Sequence, residues 1–153
     1  MPQSMPFVRE AGTGPGVVCL QCNASSSSQW RELLETLAPR FHVLAPDSYG
    51  SGKSADWSSD RVISLQDEAA FIEPVLAAAG EPFFLVGHSY GAAVALRVAL
   101  GNPGRVRGLV LYEGDPTQAA RHFIDYWMGP SSWDKTPPPR QAPVAASVVN
   151  VRR

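Results

Sequence analysis

The chain is poor in the features that mark several classes of protein. It has 153 residues and a net charge of −1, and its 13 lysine and arginine residues form no cluster. Without a basic patch, the chain lacks the long-range attraction that binders of nucleic acid or of anionic membranes use. We therefore expect neither nucleic acid nor membrane among its partners.

Long apolar runs are missing too. No run approaches the length of a membrane span, and residues 1–6 have neither the basic nor the apolar segment of a signal peptide. The sequence therefore predicts a cytoplasmic protein. With 44% apolar and 18% charged residues, the composition is that of a soluble globular chain, and its length suits one domain.

Cysteine is scarce as well. Cys19 and Cys22 have the C-x-x-C spacing that redox pairs and zinc sites share. A redox motif should open a helix, whereas Cys19 lies inside the apolar run 16–20, and no second Cys/His cluster completes a tetrahedral zinc site. We interpret the two cysteines as unpaired thiols and predict neither a metal nor a cofactor.

The chain does show a regular alternation of strand-like and helix-like segments. Apolar runs of strand length (17–20, 41–45, 82–86 and 107–112) alternate with segments of helical period (about 30–37, 65–79 and 91–100). This pattern is typical of a parallel sheet with helices on both faces. In the second helix we expect Ser64 as N-cap and Gly80 as stop, and Pro74 should kink or split it.

One motif carries chemistry: Gly87-His88-Ser89-Tyr90-Gly91, between the third strand and the third helix. In a Gly-x-Ser-x-Gly nucleophile elbow, the strand turns so sharply into the helix that the serine is strained and its Oγ is exposed. Glycines flank the serine because larger residues would clash. The motif predicts Ser89 as a nucleophile, and the alternative is a surface turn with an idle serine.

With this motif, residues from about Phe7 to Tyr112 resemble the α/β-hydrolase superfamily. The segment 20–24 takes the place of the family's loop after the first core strand, although Gln21-Cys22 replaces the usual His-Gly. The resemblance implies that the backbone N–H groups of Tyr90 and Asn23 form the oxyanion hole.

The loop 47–54, Asp-Ser-Tyr-Gly-Ser-Gly-Lys-Ser, is similar to the family's Asp-x-x-Gly-x-Gly-x-Ser loop, and we interpret it as structural. A rival interpretation is nucleotide binding, because Gly52-Lys53-Ser54 matches the end of a phosphate-binding loop. Asp47 stands where that loop needs its first glycine, and its negative charge disfavours a phosphate. Nucleotide binding is therefore the less favoured interpretation.

A serine nucleophile needs a base, and the chain has three histidines. His88 adjoins the serine, but in this superfamily that position is not the base. His42 begins a strand, at the edge of the sheet away from the site. His122 follows the fourth strand on a predicted helix and is the one histidine that could reach the site, although an exposed surface histidine is the simpler interpretation.

The superfamily's order is nucleophile, acid, histidine, with the last two on loops after later core strands. No such strand follows Tyr112, so the histidine of a final strand is absent, and only Glu113 and Asp115 stand where some members carry the acid. We therefore leave the acid and the base unassigned.

The predicted fold class is α/β, a three-layer α/β/α arrangement with a mostly parallel sheet. It is an incomplete α/β-hydrolase fold with a partial helical lid. Residues 1–114 are predicted to form the amino-terminal half of the core and 115–153 part of the lid. Aromatic residues of that lid suggest a partly apolar small-molecule substrate: Phe123, Tyr126, Trp127 and Trp133. A sheet that ends at the fourth core strand leaves an apolar edge, so self-association is expected.

The resemblance thus implies a serine hydrolase that cleaves an ester or a related acyl bond through Ser89. Serine at this position argues against the dehalogenase and epoxide-hydrolase branches, which use aspartate. The alternative is a catalytically inactive hydrolase-like fragment or interaction module, because the catalytic histidine is missing.

Overall fold

The computed structural model describes residues 4–112, 130–135 and 137–139. In these ranges five strands form one sheet in the order β1-β3-β2-β4-β5. Their bounds are Val8–Ala11 (β1), Gly16–Leu20 (β2), His42–Pro46 (β3), Phe83–His88 (β4) and Val106–Tyr112 (β5). Strands β2 to β5 are parallel and β1 is antiparallel to β3. The predicted mostly parallel sheet is confirmed.

The predicted helices begin and end near the residues that the sequence indicates. A 3-10 turn, Ser27–Trp30, leads into α1, and the others follow in chain order: Arg31–Leu37 (α1), Leu65–Phe71 (α2), Glu73–Ala79 (α3), Tyr90–Gly101 (α4) and Ser132–Lys135 (α5). Ser64 caps α2 in a capping box, in which its hydroxyl accepts the Asp67 N–H and Asp67 accepts the Ser64 N–H. The predicted second helix is split before Pro74, and Gly80 ends α3 with a φ of 78°.

Strand β1 is an element of the sheet that sequence reasoning missed. Its residues, Val-Arg-Glu-Ala, are few, and two of them are charged. Short charged strands suit the edge of a sheet, where they oppose pairing with other chains. Such a strand carries too little hydrophobic periodicity to be recognised before its partner β3 is known.

The sheet's two faces are covered unequally in the described ranges. On one face, α2, α3 and α4 pack on the sheet over an apolar cluster, to which β2, β3 and β4 contribute buried residues and β5 only partly buried ones. The buried members are Val18, Leu20, Leu44, Ile72, Val75, Leu76, Ala79, Phe83, Leu85, Val94, Ala95 and Val98. On the other face, α1 and Trp30 cover β2 and β3. Val110 and Tyr112 on β5 remain 56% and 59% exposed. This is an α/β/α arrangement that is incomplete over β5, and self-association through that strand stays a prediction.

Most of the predicted lid segment, 115–153, lies outside the described residues. None of the helices in the described ranges combines the length and the apolar character that a membrane crossing requires.

Candidate active site

The Gly87–Gly91 segment forms an abrupt turn at the carboxyl end of the sheet. Strand β4 ends at His88 and α4 begins at Tyr90, so Ser89 alone joins them, with φ 52° and ψ −113°. A non-glycine residue in this region costs about 1–3 kcal/mol and persists only where its surroundings enforce it. Here the Ser89 N–H donates to the Tyr112 carbonyl of β5 at 3.0 Å, and the Ser89 carbonyl accepts the Ala92 N–H at 2.9 Å.

The flanking glycines are required by close packing. A Cβ placed on Gly87 would lie 2.6 Å from the Cα of Ala92, and one on Gly91 would lie 2.1 Å from the Leu20 carbonyl oxygen. These are backbone atoms, which cannot move aside as a flexible side chain can. The two glycines therefore allow the first turn of α4 to lie against the ends of β4 and β2.

The side chain of Ser89 is half-buried, and its Oγ makes no hydrogen bond to another residue in the described part of the chain. Tyr90 is the first residue of α4, so its N–H has no partner within the helix. Asn23 is exposed, and it lines the same pocket of about 270 Å³ as Tyr90 does. The two residues whose N–H groups are predicted as oxyanion donors thus line one pocket, and Ser89 is not among the residues that line it.

The loop 47–54 is held by a buried carboxylate. Asp47 accepts the Ser27 N–H at 2.6 Å and the Lys53 N–H at 2.9 Å. The Ser54 hydroxyl donates to the Asp47 carbonyl at 2.8 Å and accepts the Phe7 N–H at 3.0 Å. The Lys53 N–H, which a phosphate would need as a donor, is therefore already bonded to Asp47. The Lys53 ammonium lies 4.8 Å from the centre of the Phe7 ring. These contacts support a structural role for the loop and argue against nucleotide binding.

Two histidines are described, and neither forms a hydrogen bond with the Ser89 hydroxyl. His42 lies at the amino end of β3 and its Nε2 is 2.8 Å from a Glu10 carboxylate oxygen. The Nδ1 of His88 lies 3.0 Å from the side-chain nitrogen of Gln29. Because an amide NH₂ only donates, His88 accepts through Nδ1. The other candidates for base and acid, His122, Glu113 and Asp115, lie outside the described residues.

The two cysteines are free thiols, in agreement with the sequence interpretation. Cys19 is buried in β2, and burial raises its pKa to about 12, so it stays protonated. Cys22 lines the pocket that Asn23 and Tyr90 share. In the described ranges, no group of three or more His, Cys, Asp or Glu side chains is placed to hold a metal ion.

Sequence reasoning missed two residues that touch the site. Gln29 accepts the Cys22 N–H at 3.0 Å while it donates to His88, so it links the oxyanion loop to the serine turn. No pattern in that polar loop indicated this. Glu68 is only 3% exposed and accepts a hydrogen bond from the Tyr90 hydroxyl. A signal for Glu68 was present, because a charged residue four positions before Ile72 lies on the apolar face of α2.

This fold and this turn define an α/β protein whose candidate site lies at the carboxyl ends of its parallel strands, at a serine between β4 and α4. A model of the family described as alpha/beta hydrolase fold matches residues 15–143. The chain belongs to the α/β-hydrolase fold family.

The similar proteins carry several hydrolase names. The chain is 32% identical over 111 residues to a haloalkane dehalogenase of Mesorhizobium japonicum, a match that covers 72% of this chain and 35% of the dehalogenase. It is 35% identical over 113 residues to a pimeloyl-[acyl-carrier protein] methyl ester esterase of Methylococcus capsulatus, covering 72% and 41%. Among solved structures, the thioesterase domain from the curacin biosynthetic pathway superposes with a TM-score of 0.63 at 30% identity, covering 68% and 40%. The chain therefore matches less than half the length of each of these proteins.

Proposed function

We propose that this chain carries the nucleophile and the oxyanion hole of a serine hydrolase that cleaves esters or related acyl bonds. In this proposal the Ser89 Oγ attacks the acyl carbon, and the N–H groups of Tyr90 and Asn23 stabilise the negative charge of the tetrahedral intermediate. Collapse of this intermediate breaks the ester bond and expels the alcohol, which takes up the proton that the Ser89 hydroxyl loses. Water then attacks the acyl-serine ester, which releases the acid and restores the Ser89 hydroxyl.

The backbone of Ser89 is the observation that carries the proposal. A strained conformation at a single serine, enforced by hydrogen bonds on both sides and by glycines that allow close packing, is expected where a hydroxyl must be presented to a substrate. The neighbouring Tyr90 N–H, unpaired within its helix, is the group that such a reaction uses for charge stabilisation.

The substrate class follows from the residue type at this position. A serine forms an acyl intermediate, and the names of two similar proteins, a methyl ester esterase and a thioesterase domain, denote cleavage of acyl bonds. The dehalogenase name of another relative does not fit a serine, because the family resemblance assigns aspartate to that branch. Acyl esters are therefore the first substrates to test.

The second candidate function is an inactive hydrolase-like chain or an interaction module. One observation favours it: in the described ranges, His42 is paired with Glu10 at the amino end of the sheet, and His88 is held by Gln29. Without a base in reach, a serine hydroxyl is a poor nucleophile near neutral pH.

A fluorophosphonate probe on the full chain separates the two functions, because it reacts with activated serines. We expect labelling of the wild-type chain at Ser89, located by peptide mass spectrometry, and loss of labelling in Ser89→Ala. Hydrolysis of a p-nitrophenyl acyl ester should fall in the same variant by at least about 10³-fold.

Ser58→Ala is the matched control, because Ser58 is exposed on a loop. It should label and hydrolyse as the wild type does. A folded wild-type chain that neither labels nor hydrolyses would support the inactive interpretation.

A further inference from the structure

Glu68 is a buried carboxyl group that the proposed mechanism does not use. It is 3% exposed on α2 and lines the pocket that Asn23 and Tyr90 share. No described lysine, arginine or histidine forms an ion pair with it. Burying a carboxyl group without a cation is costly, so hydrogen bonds from neighbouring groups are needed to stabilise it.

Those partners come from the two segments that border the pocket. One carboxyl oxygen of Glu68 accepts the backbone N–H of Tyr49, in the loop 47–54, at 3.4 Å. The other accepts the hydroxyl of Tyr90, the first residue of α4, at 3.4 Å. Glu68 therefore joins α2 both to the loop and to the residue whose N–H is the proposed oxyanion donor.

The state of charge of these groups is set by their surroundings. Burial is the main cause that raises the pKa of Glu68, and the negative charge of Asp67 acts in the same direction, while the bonds from Tyr49 and Tyr90 oppose them. Burial and the nearby Glu68 raise the pKa of the Tyr90 hydroxyl, so the phenol stays neutral and donates. Asp67 itself is paired with Arg61.

We propose that Glu68 is a positioning residue which, through the Tyr90 side chain, fixes the backbone N–H of Tyr90 in the oxyanion hole. Only the ionised carboxylate offers two acceptor oxygens, one to each donor. Protonation removes the negative charge that strengthens both bonds, and the new O–H either faces the Tyr49 N–H, which is also a donor, or reverses the bond with the Tyr90 hydroxyl, which can accept. The inference rests on the proposed function for its effect on catalysis, but the link between Glu68 and Tyr90 is measurable without it.

The test compares Glu68→Gln and Tyr90→Phe with the wild-type full chain. Glutamine keeps the volume of glutamate but is neutral, so its bonds to Tyr49 and Tyr90 lose the charge that strengthens them, and phenylalanine removes the hydroxyl while the Tyr90 backbone stays. We expect the rate of Ser89 labelling by a fluorophosphonate to fall about tenfold in each variant, less than the 10²–10³-fold that loss of a whole oxyanion donor costs. With an acyl ester, the loss should be in kcat and not in KM.

A pH profile distinguishes a positioning role of Glu68 from a general loss of stability in the variant. In the wild type, part of the labelling rate should rise with pH through the raised pKa of Glu68, because the carboxylate is the positioning form. This step should be absent in Glu68→Gln. In parallel, the backbone amide resonance at position 90 should titrate over the same pH range in ¹⁵N-labelled wild type and not in Glu68→Gln.

Two variants control for stability. Ser64→Ala removes the capping box of α2 and weakens the helix that carries Glu68, but it leaves the carboxyl in place. Glu73→Gln makes the same chemical change at an exposed glutamate, which pairs with Arg105 away from the site. Both should keep the pH-dependent step and the titration of the position 90 amide.

The outcomes are distinct. An unchanged amide titration in Glu68→Gln, with labelling within twofold of the wild type, overturns the inference. A tenfold loss that Ser64→Ala reproduces also overturns it, because the cause is then helix stability. If Ser89 never labels in the wild type, the proposed function fails, while the amide titration alone still decides whether Glu68 holds Tyr90: its loss in Glu68→Gln supports the link and its persistence refutes it.

Discussion

Two segments that contain glycine and serine follow parallel strands at the carboxyl end of the sheet. They differ in whether their backbone N–H groups are hydrogen-bonded within the protein. In the loop 47–54, the Asp47 carboxylate takes the N–H of Lys53 and that of Ser27. In the turn 87–91, Ser89 has a strained backbone, and the Tyr90 N–H has no partner within its helix.

The difference between the two segments indicates their roles. A loop whose backbone N–H groups bond to a buried carboxylate is stabilised by those bonds, and the bonded groups are not free to bind a ligand. A turn that holds a strained residue next to an N–H without a helical partner is less stable than an unstrained turn would be, as is common at functional sites. Three substitutions test this contrast, in order of expected effect.

Gly91→Ala should have the largest effect. Its new Cβ would lie 2.1 Å from the Leu20 carbonyl oxygen and 2.6 Å from that of Gln21. Because backbone atoms must move, we expect a loss of about 3 kcal/mol in the free energy of unfolding and a Tm lower by about 10 °C, measured by circular dichroism.

The control for this substitution is Gly101→Ala, at the end of the same helix. The nearest atom to its Cβ is a side-chain nitrogen of Arg97 at 3.4 Å, which is free to move. Equal Tm values for the Gly91 and Gly101 variants would show that α4 does not lie against β2 as described.

Asp47→Ala should have the second largest effect. It leaves the N–H groups of Ser27 and Lys53 without their acceptor, and hydrogen bonds to a charged group contribute most to stability. We expect a loss of about 2–3 kcal/mol in urea unfolding, with part of it recovered in Asp47→Asn, which keeps one acceptor oxygen.

The exposed Asp60 makes no hydrogen bond or ion pair in the described part of the chain, so Asp60→Ala serves as the control and should leave the urea midpoint unchanged. An Asp47→Ala chain as stable as the wild type would remove the contrast between the two segments.

Ser89→Gly should have the smallest effect and the opposite sign. Glycine adopts a φ of 52° without the steric cost that serine bears, so the free energy of unfolding should rise by about 1 kcal/mol and Tm by about 2–4 °C. Ser58→Gly, on an exposed loop and not among the described residues with positive φ, should instead lower stability slightly. A destabilised Ser89→Gly would mean that the turn stores no strain.

Much of the architecture was predictable because it follows from local pattern. The four parallel strands were predicted from apolar runs, and the division of one predicted helix into α2 and α3 from Pro74. Strand β1 was not, because four residues with two charges carry no period of their own. The Gly-x-Ser-x-Gly motif singled out Ser89, whereas Gln29 and Glu68 depend on contacts across 59 and 22 residues of sequence.

The order of the parallel strands and of the helices between them, and the position of the serine turn, follow from the sequence alone, since hydrophobic period, caps and glycines act over a few residues. Which backbone donors are hydrogen-bonded and which remain free depends on the folded arrangement. It placed Asp47 under its own loop, held His88 against Gln29, and buried Glu68 beside Tyr90. Such choices depend on which distant side chains the folded sheet brings within 3–4 Å, and a linear pattern does not encode that distance.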